Sequence, residues 1–435
     1  MSSIESDPNM HREGQRRINP ICSKDLHRIW WPFGAAERCR VNTARVRRVA
    51  SQALAVGLSG AAQQAGDTFP HWIGHTPIEE SRRVKQLEPA AVGAVLSVLL
   101  AACHGVPTPS IPTLSAQHSG TDARLQAVSA VDSSIAWVSG VNGTWLRTLD
   151  GGRSWEVGSV AGADSLEFRD VYAVSADTAY LLSAGTGDQS RIYRTTDGGA
   201  SWSLQFVNPI ADAFFDCFAF WGPTAGVAFS DAVDGRFVAV RTEDGEQWTP
   251  LPERALPPAQ QGEGGFAASG TCVVTLGDST VLIATGNAPV ARVLRSEDRG
   301  RTWSAAEVPV VAGAAAGLTS VAFRDVRHGV AVGGEIGVDG AVGHRVARTE
   351  DGGRSWETGG EPAFPGAVYG AAYLPASASN VLVAVGPGGA ALSRDDGRTW
   401  SALDSLDYWG LGLPDSVTGW LVGPAGRITR VRIPR

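Results

Sequence analysis

The chain has 435 residues, of which 43% are hydrophobic and 19% are charged, and its formal net charge is −7. This composition supplies a packed core, excludes a disordered polyelectrolyte and lacks the basic excess of a nucleic-acid-binding protein. The 53 glycines and 14 tryptophans favour a chain of short strands whose tight turns are held in place by aromatic rings.

The N-terminal segment contains a predicted export signal. Residues 1–83 show no sustained hydrophobic period, and we interpret them as a mis-assigned start or a disordered extension. Residues 84–102 follow the basic pair Arg82 and Arg83, and their apolar stretch leads through two alanines to Cys103. A basic start, a short apolar stretch and small residues before a cysteine are typical of a lipoprotein signal, and about 11 apolar residues are too few to cross a bilayer. We therefore expect a periplasmic or outer-membrane (cell-surface) protein, held at the membrane by a lipid on Cys103.

The next segment, residues 103–118, is rich in proline. It contains Pro107, Pro109 and Pro112, and proline-rich segments are stiff and extended. We predict a tether over 103–118 that joins the anchor to a folded domain over 119–435.

Six segments of the domain share the pattern [Ser/Thr]-x-Asp-x-Gly-x-[Ser/Thr]-Trp, one copy being a residue shorter. This is the signature of the Asp-box, or BNR repeat. The aspartate accepts N–H bonds within its own turn, glycine supplies positive φ, and tryptophan packs against the neighbouring sheet. We therefore predict structural roles for the aspartates and tryptophans, which are Asp150, Asp197, Asp244, Asp298, Asp351, Asp395, Trp155, Trp202, Trp248, Trp303, Trp356 and Trp400.

The spacing of the repeats predicts the fold. Successive repeat tryptophans lie 44 to 55 residues apart, the length of a four-stranded propeller blade with its loops. After the sixth repeat, Tyr408–Leu413, Gly419–Gly423 and Arg427–Val431 are predicted strands with no repeat behind them. Residues near Pro112–Gln117 are expected to supply the missing outer strand. The fold class is therefore all-β, a seven-bladed β-propeller with Asp-box repeats.

The sequence segments between the repeats indicate a more specific family. Leu166–Val171, Gly262–Thr271 and Phe323–Gly334 resemble bacterial proteins related to the plant photosystem II stability/assembly factor. This resemblance implies a seven-bladed propeller that binds other proteins during assembly. We expect a non-catalytic monomer.

Function is expected on the loops that lie opposite the Asp-box hairpins. The segments Pro250–Gly265 and Gly334–Gly343 are long, and long loops on a rigid scaffold often carry function. The candidate residues for a protein or glycan partner stand near the starts of the inner strands, where ordinary solvated loop residues are the alternative. They are Arg169, Asp170, Asp216, Glu263, Ser269, Tyr369, Asp407 and Tyr408.

An enzyme is the second hypothesis. A glycoside hydrolase of the sialidase-like type needs two carboxylates across a cleft, and Asp170, Asp216, Glu263 and Asp407 are the candidates. Few aromatic residues stand near them to stack on sugar rings, so we expect no catalytic pair. The glycine-rich run Gly386–Gly389 lies between strands with no helix to bind a pyrophosphate, which argues against a nucleotide-dependent oxidoreductase. No cofactor is expected, and the histidines have no metal-ligand spacing.

Two further patterns leave alternatives open. Cys217 and Cys272 are either two buried small hydrophobes or an inter-blade disulfide, which an oxidising compartment would permit. Five arginines recur at one position before the repeats and form a ring, expected either to pair with acids of adjacent blades or to present a cationic surface. They are Arg147, Arg194, Arg241, Arg295 and Arg348.

Overall fold

The computed structural model describes residues 111–340, 343–375 and 380–434. They form seven antiparallel four-stranded sheets, and the fold is a seven-bladed β-propeller, as the repeat spacing predicted. The predicted signal over 84–102 and the lipidation site Cys103 lie outside the described residues. Within the described part, no helix is both long and apolar enough to span a membrane.

Six blades are meanders of consecutive strands, which run from the inner strand at the propeller axis to the outer strand. Blade 1 contains β2 (Leu125–Ala130), β3 (Ala136–Gly140), β4 (Thr144–Thr148) and β5 (Glu156–Ser159). Blade 2 contains β6 (Phe168–Ala173), β7 (Ala179–Ser183), β8 (Arg191–Thr195) and β9 (Ser203–Val207), with a 3-10 turn at Gly187–Gln189. Blade 3 contains β10 (Phe215–Phe220), β11 (Gly226–Val233), β12 (Arg236–Thr242) and β13 (Thr249–Pro250).

The next three blades repeat this order. Blade 4 contains β14 (Val273–Leu276), β15 (Thr280–Ala284), β16 (Arg292–Ser296) and β17 (Ser304–Glu307). Blade 5 contains β18 (Ala316–Phe323), β19 (Gly329–Glu335), β20 (Val346–Thr349) and β21 (Glu357–Thr358). Blade 6 contains β22 (Gly370–Tyr373), β23 (Leu382–Gly386), β24 (Gly389–Ser393) and β25 (Ser401–Asp404).

Blade 7 is built from both ends of the propeller sequence. Its first three strands are β26 (Gly410–Gly412), β27 (Thr418–Val422) and β28 (Ile428–Arg432). The outer strand is β1 (Thr113–Gln117), which pairs with β28 along its whole length. The predicted closure is confirmed. The tether boundary at residue 118 is wrong, because residues 113–117 already pair with the last strand of the ring.

Apolar packing between neighbouring blades forms the core. The second strand of each blade is almost entirely buried, as in β7 and β23, whereas the outer strands β5 and β9 are largely exposed. Blade 7 contributes Trp420 and Val422 to a cluster with Leu125 and Val138 of blade 1. The core is therefore a set of layers between sheets, arranged around the axis.

The six repeats form tight turns between the third and fourth strands. In blade 4, Asp298 accepts bonds from the N–H groups of Arg301 and Thr302 at 2.9 and 2.8 Å and from the Thr302 hydroxyl at 2.6 Å. Ser296 donates to the same carboxylate at 2.8 Å, and Gly300 has φ +76°. Each of these contacts lies within the turn, so the aspartate holds its own hairpin.

The recurring arginines connect neighbouring blades, but mainly through backbone carbonyls. Arg295 Nε donates to the carbonyl of Gly352 at 2.7 Å, and Arg348 Nε donates to that of Asp396 at 2.6 Å, in each case in the next blade's repeat turn. Arg194 pairs with a carboxylate of the next blade, Glu246, at 3.0 Å. The expected pairing with acids of adjacent blades is confirmed for Arg194 and for Arg147, which lies 3.9 Å from Asp177. It is wrong for Arg295 and Arg348, because the carbonyls of the next blade's turn accept their guanidinium groups and the acids that they contact belong to their own blades.

Of the two alternatives for the cysteines, the structure contains the disulfide. Cys217 lies on β10 of blade 3, and Cys272 directly precedes β14 of blade 4. Their Cα atoms are 6.0 Å apart, and both residues are fully buried. The bond thus links adjacent inner strands near the axis.

Candidate functional site

The antiparallel meander determines which connections share a face. Connections into the inner strands and those joining second to third strands lie together on what we call the loop face. The repeat turns lie on the opposite face, called the turn face. The long segments Pro250–Gly265 and Gly334–Gly343 belong to connections of the first two kinds, so both lie on the loop face, as expected.

The residues directly before the inner strands meet around the axis on the loop face. Because strands of all blades begin there, side chains distant in sequence become neighbours. At five blades these residues are large or charged, namely Arg124, Glu167, Phe214, Tyr369 and Trp409.

Two arginines share one carboxylate in this ring. Arg124 Nη2 lies 3.1 Å from Glu167 Oε2, and Arg169 Nη2 lies 2.8 Å from the same oxygen. Their side chains are 31% and 18% exposed, and that of Glu167 is 23% exposed. Burial lowers the pKa of the Arg124 guanidinium from its ordinary value. The group carries a net positive charge that is partly open to solvent.

An aromatic pair lies beside the arginines. The Arg124 guanidinium carbon is 4.7 Å from the ring centroid of Trp409, within the range of a cation–π contact. Trp409 meets Tyr369 edge to face with centroids 5.3 Å apart. Tyr369 is buried beneath it and its pKa is raised by burial, whereas Trp409 is partly exposed. We call Arg124, Glu167, Arg169, Tyr369 and Trp409 the central patch.

The segment Gly264–Thr271, which leads into blade 4, crosses the axis beneath the central patch. The Ala267 carbonyl accepts from Arg169 of blade 2 at 3.4 Å, and the Ser269 hydroxyl donates to the Tyr369 carbonyl of blade 6 at 2.8 Å. The Thr271 hydroxyl donates to Ser320 of blade 5 at 2.7 Å. The first two contacts join blades that are not neighbours, and the three together hold the segment beneath the patch.

Bulges in the inner strands explain where several predicted residues point. Arg169 and Asp216 are each the extra residue at the same place in β6 and β10, since pairing skips from Phe168 to Asp170 and from Phe215 to Cys217. A bulge re-aims the side chain it displaces. Arg169 reaches the loop face, whereas Asp216 is 1% exposed.

Three predicted carboxylates are buried in contacts within the protein. Asp170 accepts from the N–H of Phe218 in the next blade at 2.9 Å, and burial raises its pKa well above the ordinary value. Burial, and then the neighbouring Asp231, raises the pKa of Asp216. Glu263 is paired with Arg292 and accepts from the Thr285 hydroxyl at 2.7 Å, which fixes the long loop before blade 4. The expectation that these carboxylates face a partner is wrong. Glu263 is paired with Arg292 inside the fold, and burial favours the neutral forms of Asp170 and Asp216.

The other predicted residues divide in the same way. Ser269 and Tyr408 are buried, and the Tyr408 hydroxyl donates to Asp404 at 2.6 Å. Both belong to the framework rather than to an exposed surface. Asp407 remains partly exposed, and burial raises its pKa. Among the described residues, no group of three or more His, Cys, Asp or Glu side chains is placed to hold a metal ion.

Sequence reasoning missed Arg124, Glu167 and Trp409. Trp409 was predicted to lie inside a strand over Tyr408–Leu413, but the strand begins at Gly410. Arg124 and Glu167 stand one residue before the runs Leu125–Ala130 and Phe168–Ala173, at the same position as Trp409. This shared position before the strand is the signal that could have identified them.

The architecture is that of a seven-bladed β-propeller with a cationic and aromatic patch at the centre of one face. Comparisons of the sequence with protein families and with curated proteins find no match. Among solved structures, the chain is similar to YCF48 bound to D1 peptide, with 18% identity and TM-score 0.52 over 76% of this chain and 100% of that chain. YCF48 from Cyanidioschyzon merolae shows 16% identity and TM-score 0.52 over 73% and 98% of the two chains. The RRP9 WD40 repeats show 14% identity and TM-score 0.52 over 75% and 100%. At these identities the likeness establishes the propeller fold.

Proposed function

We propose that the chain is a non-catalytic propeller that binds a protein partner by receiving a peptide segment across the central patch. The observation that carries this proposal is the sharing of Glu167 by Arg124 and Arg169 beside a partly exposed Trp409. Arginines outnumber acids here, because Glu167 and the nearby Asp407 face Arg124, Arg169 and Arg427. Arginine and tryptophan are among the side chains that most often anchor protein interfaces. The favoured segment carries an acidic group next to an apolar or aromatic side chain. The similarity to a propeller solved with a bound peptide supports this type of ligand.

The geometry favours binding over glycoside hydrolysis. A hydrolase needs two carboxylates that reach the substrate, one with a raised pKa. Asp170 and Asp216 have raised pKa values, but they and Glu263 are between 1% and 3% exposed. A substrate on the loop face would not contact any of the three.

The proposal is tested by selecting peptides from a displayed random library on the full chain. Selected peptides are expected to contain Asp, Glu or a free C-terminal carboxylate beside an apolar residue. Their affinity should fall about tenfold or more in Arg124→Gln or Trp409→Ala. Arg398→Gln is the matched control, because Arg398 is a half-exposed arginine on the turn face that already pairs with Glu350. Peptides that bind equally to Trp409→Ala and to the wild type, with the fold intact by circular dichroism, would refute the proposed surface.

We further propose that the six repeat turns are Asp-box (BNR) turns and that the chain is related to bacterial homologues of the photosystem II stability/assembly factor. The local bonding of Asp298 and its counterparts, such as Asp351, supports the first part. The similarity to YCF48 propellers supports the second. A role as an assembly factor follows as the most specific form of the proposed function.

We also propose that the protein is exported and anchored as a monomer through a lipid on Cys103. The Cys217–Cys272 disulfide supports export, because structural disulfides persist in oxidising compartments. Expression of Cys103→Ser in a bacterial host should move the protein from the membrane fraction to the soluble fraction. Equal membrane retention of Cys103→Ser and the wild type would contradict the anchor.

A further inference from the structure

A groove of about 640 Å³ lies on the turn face, at the seam where blade 7 meets blade 1. Arg430 and Arg432 of β28 line it, together with the hydroxyl-bearing Thr113, Ser115 and Ser133. The two arginines are two residues apart on one strand, so their side chains lie on the same side of the sheet. The groove therefore combines two guanidinium groups with several hydroxyl donors.

Arg430 is the blade 7 counterpart of the recurring arginines. Trp137 pairs in register with Arg147, and Trp420 pairs in the same way with Arg430. The two guanidinium carbons lie 5.3 and 5.8 Å from the centroids of these tryptophan rings. The partners of the arginine in other blades therefore show what Arg430 would ordinarily contact.

In blades 1 and 5 one partner of the arginine is a carboxylate on the outer strand. Arg147 pairs in register with Glu156 and Arg348 with Glu357, each with an N–O distance of 2.6 Å. Arg430 pairs in register with Ser115 of β1. Serine carries no charge, so the outer strand gives this guanidinium no counter-charge, as in blades 2, 3 and 4, where the residue in register with the arginine is Ser203, Thr249 or Ser304.

A second partner is a carbonyl in the next blade's repeat turn. Arg295 uses the carbonyl of Gly352 at 2.7 Å, and the equivalent group for Arg430 is the carbonyl of Gly151. That carbonyl instead accepts from Gln117 Nε2 at 3.3 Å. Closure of the ring by β1 thus places the Gln117 amide on the carbonyl that would serve Arg430, although the Arg430 guanidinium lies beside Gly151.

The nearby acid does not replace them. Asp415 lines the groove, but its carboxylate accepts from the N–H groups of Val417 and Thr418, both at 2.7 Å, and from the Thr418 hydroxyl. Burial alone would raise the pKa of Asp415, but the bonds from Thr418 and Val417, together with the charge of Arg430, keep it below the ordinary value, so this acid offsets part of the Arg430 charge without pairing with it. Within the described part of the chain, no carboxylate lies within 4 Å of the Arg430 or Arg432 guanidinium groups.

We propose that this groove binds a doubly charged oxyanion, the phosphoryl group of phosphate or of a phosphate monoester. Guanidinium groups offer paired N–H donors that match phosphate oxygens, and the hydroxyls of Ser115 and Ser133 supply further donors. Arg430 lies inside the groove and Arg432 at its exposed edge, so the anion is held between them. The volume of the groove exceeds that of phosphate alone, which leaves room for the organic part of an ester.

The test is calorimetric titration of the full chain with inorganic phosphate and with glycerol 2-phosphate, at constant ionic strength in phosphate-free buffer. We expect saturable binding at one site, weakened about tenfold or more in Arg430→Gln. Ser115→Glu should weaken binding as strongly, because it restores the Arg–Glu pair of blades 1 and 5. Ser203→Glu is its matched control, since Ser203 pairs in register with Arg194, which already contacts Glu246. This control variant should bind phosphate like the wild type.

Each outcome decides the proposal. Tighter binding of the ester than of phosphate supports an organic phosphate as ligand, and equal binding supports free phosphate. Absence of saturable binding of either probe overturns the proposal, as does wild-type affinity in folded Ser115→Glu. Binding of a glutamate-rich peptide without binding of either phosphate probe would also overturn it and assign the groove to acidic peptides.

Discussion

One amide side chain, that of Gln117 on β1, bonds to both blades at the seam where the propeller closes. Its Oε1 accepts from the indole N–H groups of Trp155 in blade 1 and Trp420 in blade 7, both at 3.1 Å, and its Nε2 donates to the Gly151 carbonyl. Gln117→Ala removes all three bonds. The indole of Trp420 is fully buried, and a buried donor left without a partner costs about 1–3 kcal/mol. Trp155 is partly exposed and its indole N–H can bind water instead, so loss of its bond to Gln117 adds about 0.5–1 kcal/mol.

We therefore expect Gln117→Ala to lower the free energy of unfolding by about 2–4 kcal/mol. Urea denaturation followed by tryptophan fluorescence measures this change, because two of the indoles lie at the seam. Gln205→Ala is the matched control, since Gln205 also lies on an outer strand but makes one long local contact at 3.5 Å. Its effect should stay within about 0.5 kcal/mol. Equal stability of Gln117→Ala and Gln205→Ala would refute the assignment of closure to this side chain.

Three further predictions concern the buried framework. Cys217 and Cys272 are 55 residues apart in sequence, so Cys217→Ala/Cys272→Ala should lower the free energy of unfolding in chemical denaturation by about 2–4 kcal/mol. A reducing agent should lower the stability of the wild type but not that of this variant. A wild type whose stability does not change after reduction in the unfolded state would contradict the bond. Glu263→Gln leaves Arg292 without a counter-charge in a buried pair and should lower the free energy of unfolding by about 3–5 kcal/mol. Glu253→Gln breaks an exposed pair with Arg236 and should lower it by under about 0.5 kcal/mol. Similar losses in the two variants would show that the Glu263 pair is not specially stabilising. Hydrogen bonding in the turn lowers the pKa of Asp298 to about 2, although burial opposes this shift. A pKa that folding lowers adds stability, which is complete above the pKa of the unfolded chain and is lost as pH falls from about 5 towards 2. The free energy of unfolding should therefore fall less steeply with acid in Asp298→Asn than in the wild type, and parallel curves would contradict this assignment.

The fold could be predicted because its determinants are local. Each repeat turn is held by an aspartate such as Asp298 bonding to residues three and four positions further on, so a short sequence pattern contains the whole interaction. The seventh blade could be predicted by counting strands, because the three strands after the last repeat need a fourth to complete a blade. The tether boundary was wrong because the tether and the closing strand were both predicted over residues 113–117, and only the pairing with β28 shows that these residues belong to the strand.

The site was less predictable because its contacts are distant in sequence and depend on side-chain direction. Arg169 and Asp216 occupy the same bulge position of adjacent blades, yet one reaches the loop face and the other is buried. In the sequence Glu263 is predicted to be an exposed loop carboxylate, but in the structure it is buried and bonded to Arg292, 29 residues away. Arg124 and Glu167 are 43 residues apart and meet only because neighbouring inner strands begin at the same face.

The seam shows how a repeat architecture acquires sites that no single repeat encodes. In blades 1 and 5 the recurring arginine is neutralised by an outer-strand glutamate, so the repeat satisfies itself. Blade 7 takes its outer strand from the other end of the propeller sequence, and this strand places Ser115 opposite Arg430 and adds Gln117 at the seam. Gln117 then bonds to both tryptophans and to the Gly151 carbonyl, which stabilises closure but removes an acceptor from Arg430. The bonds that close the ring and the unneutralised arginines beside them are therefore two consequences of the same strand exchange.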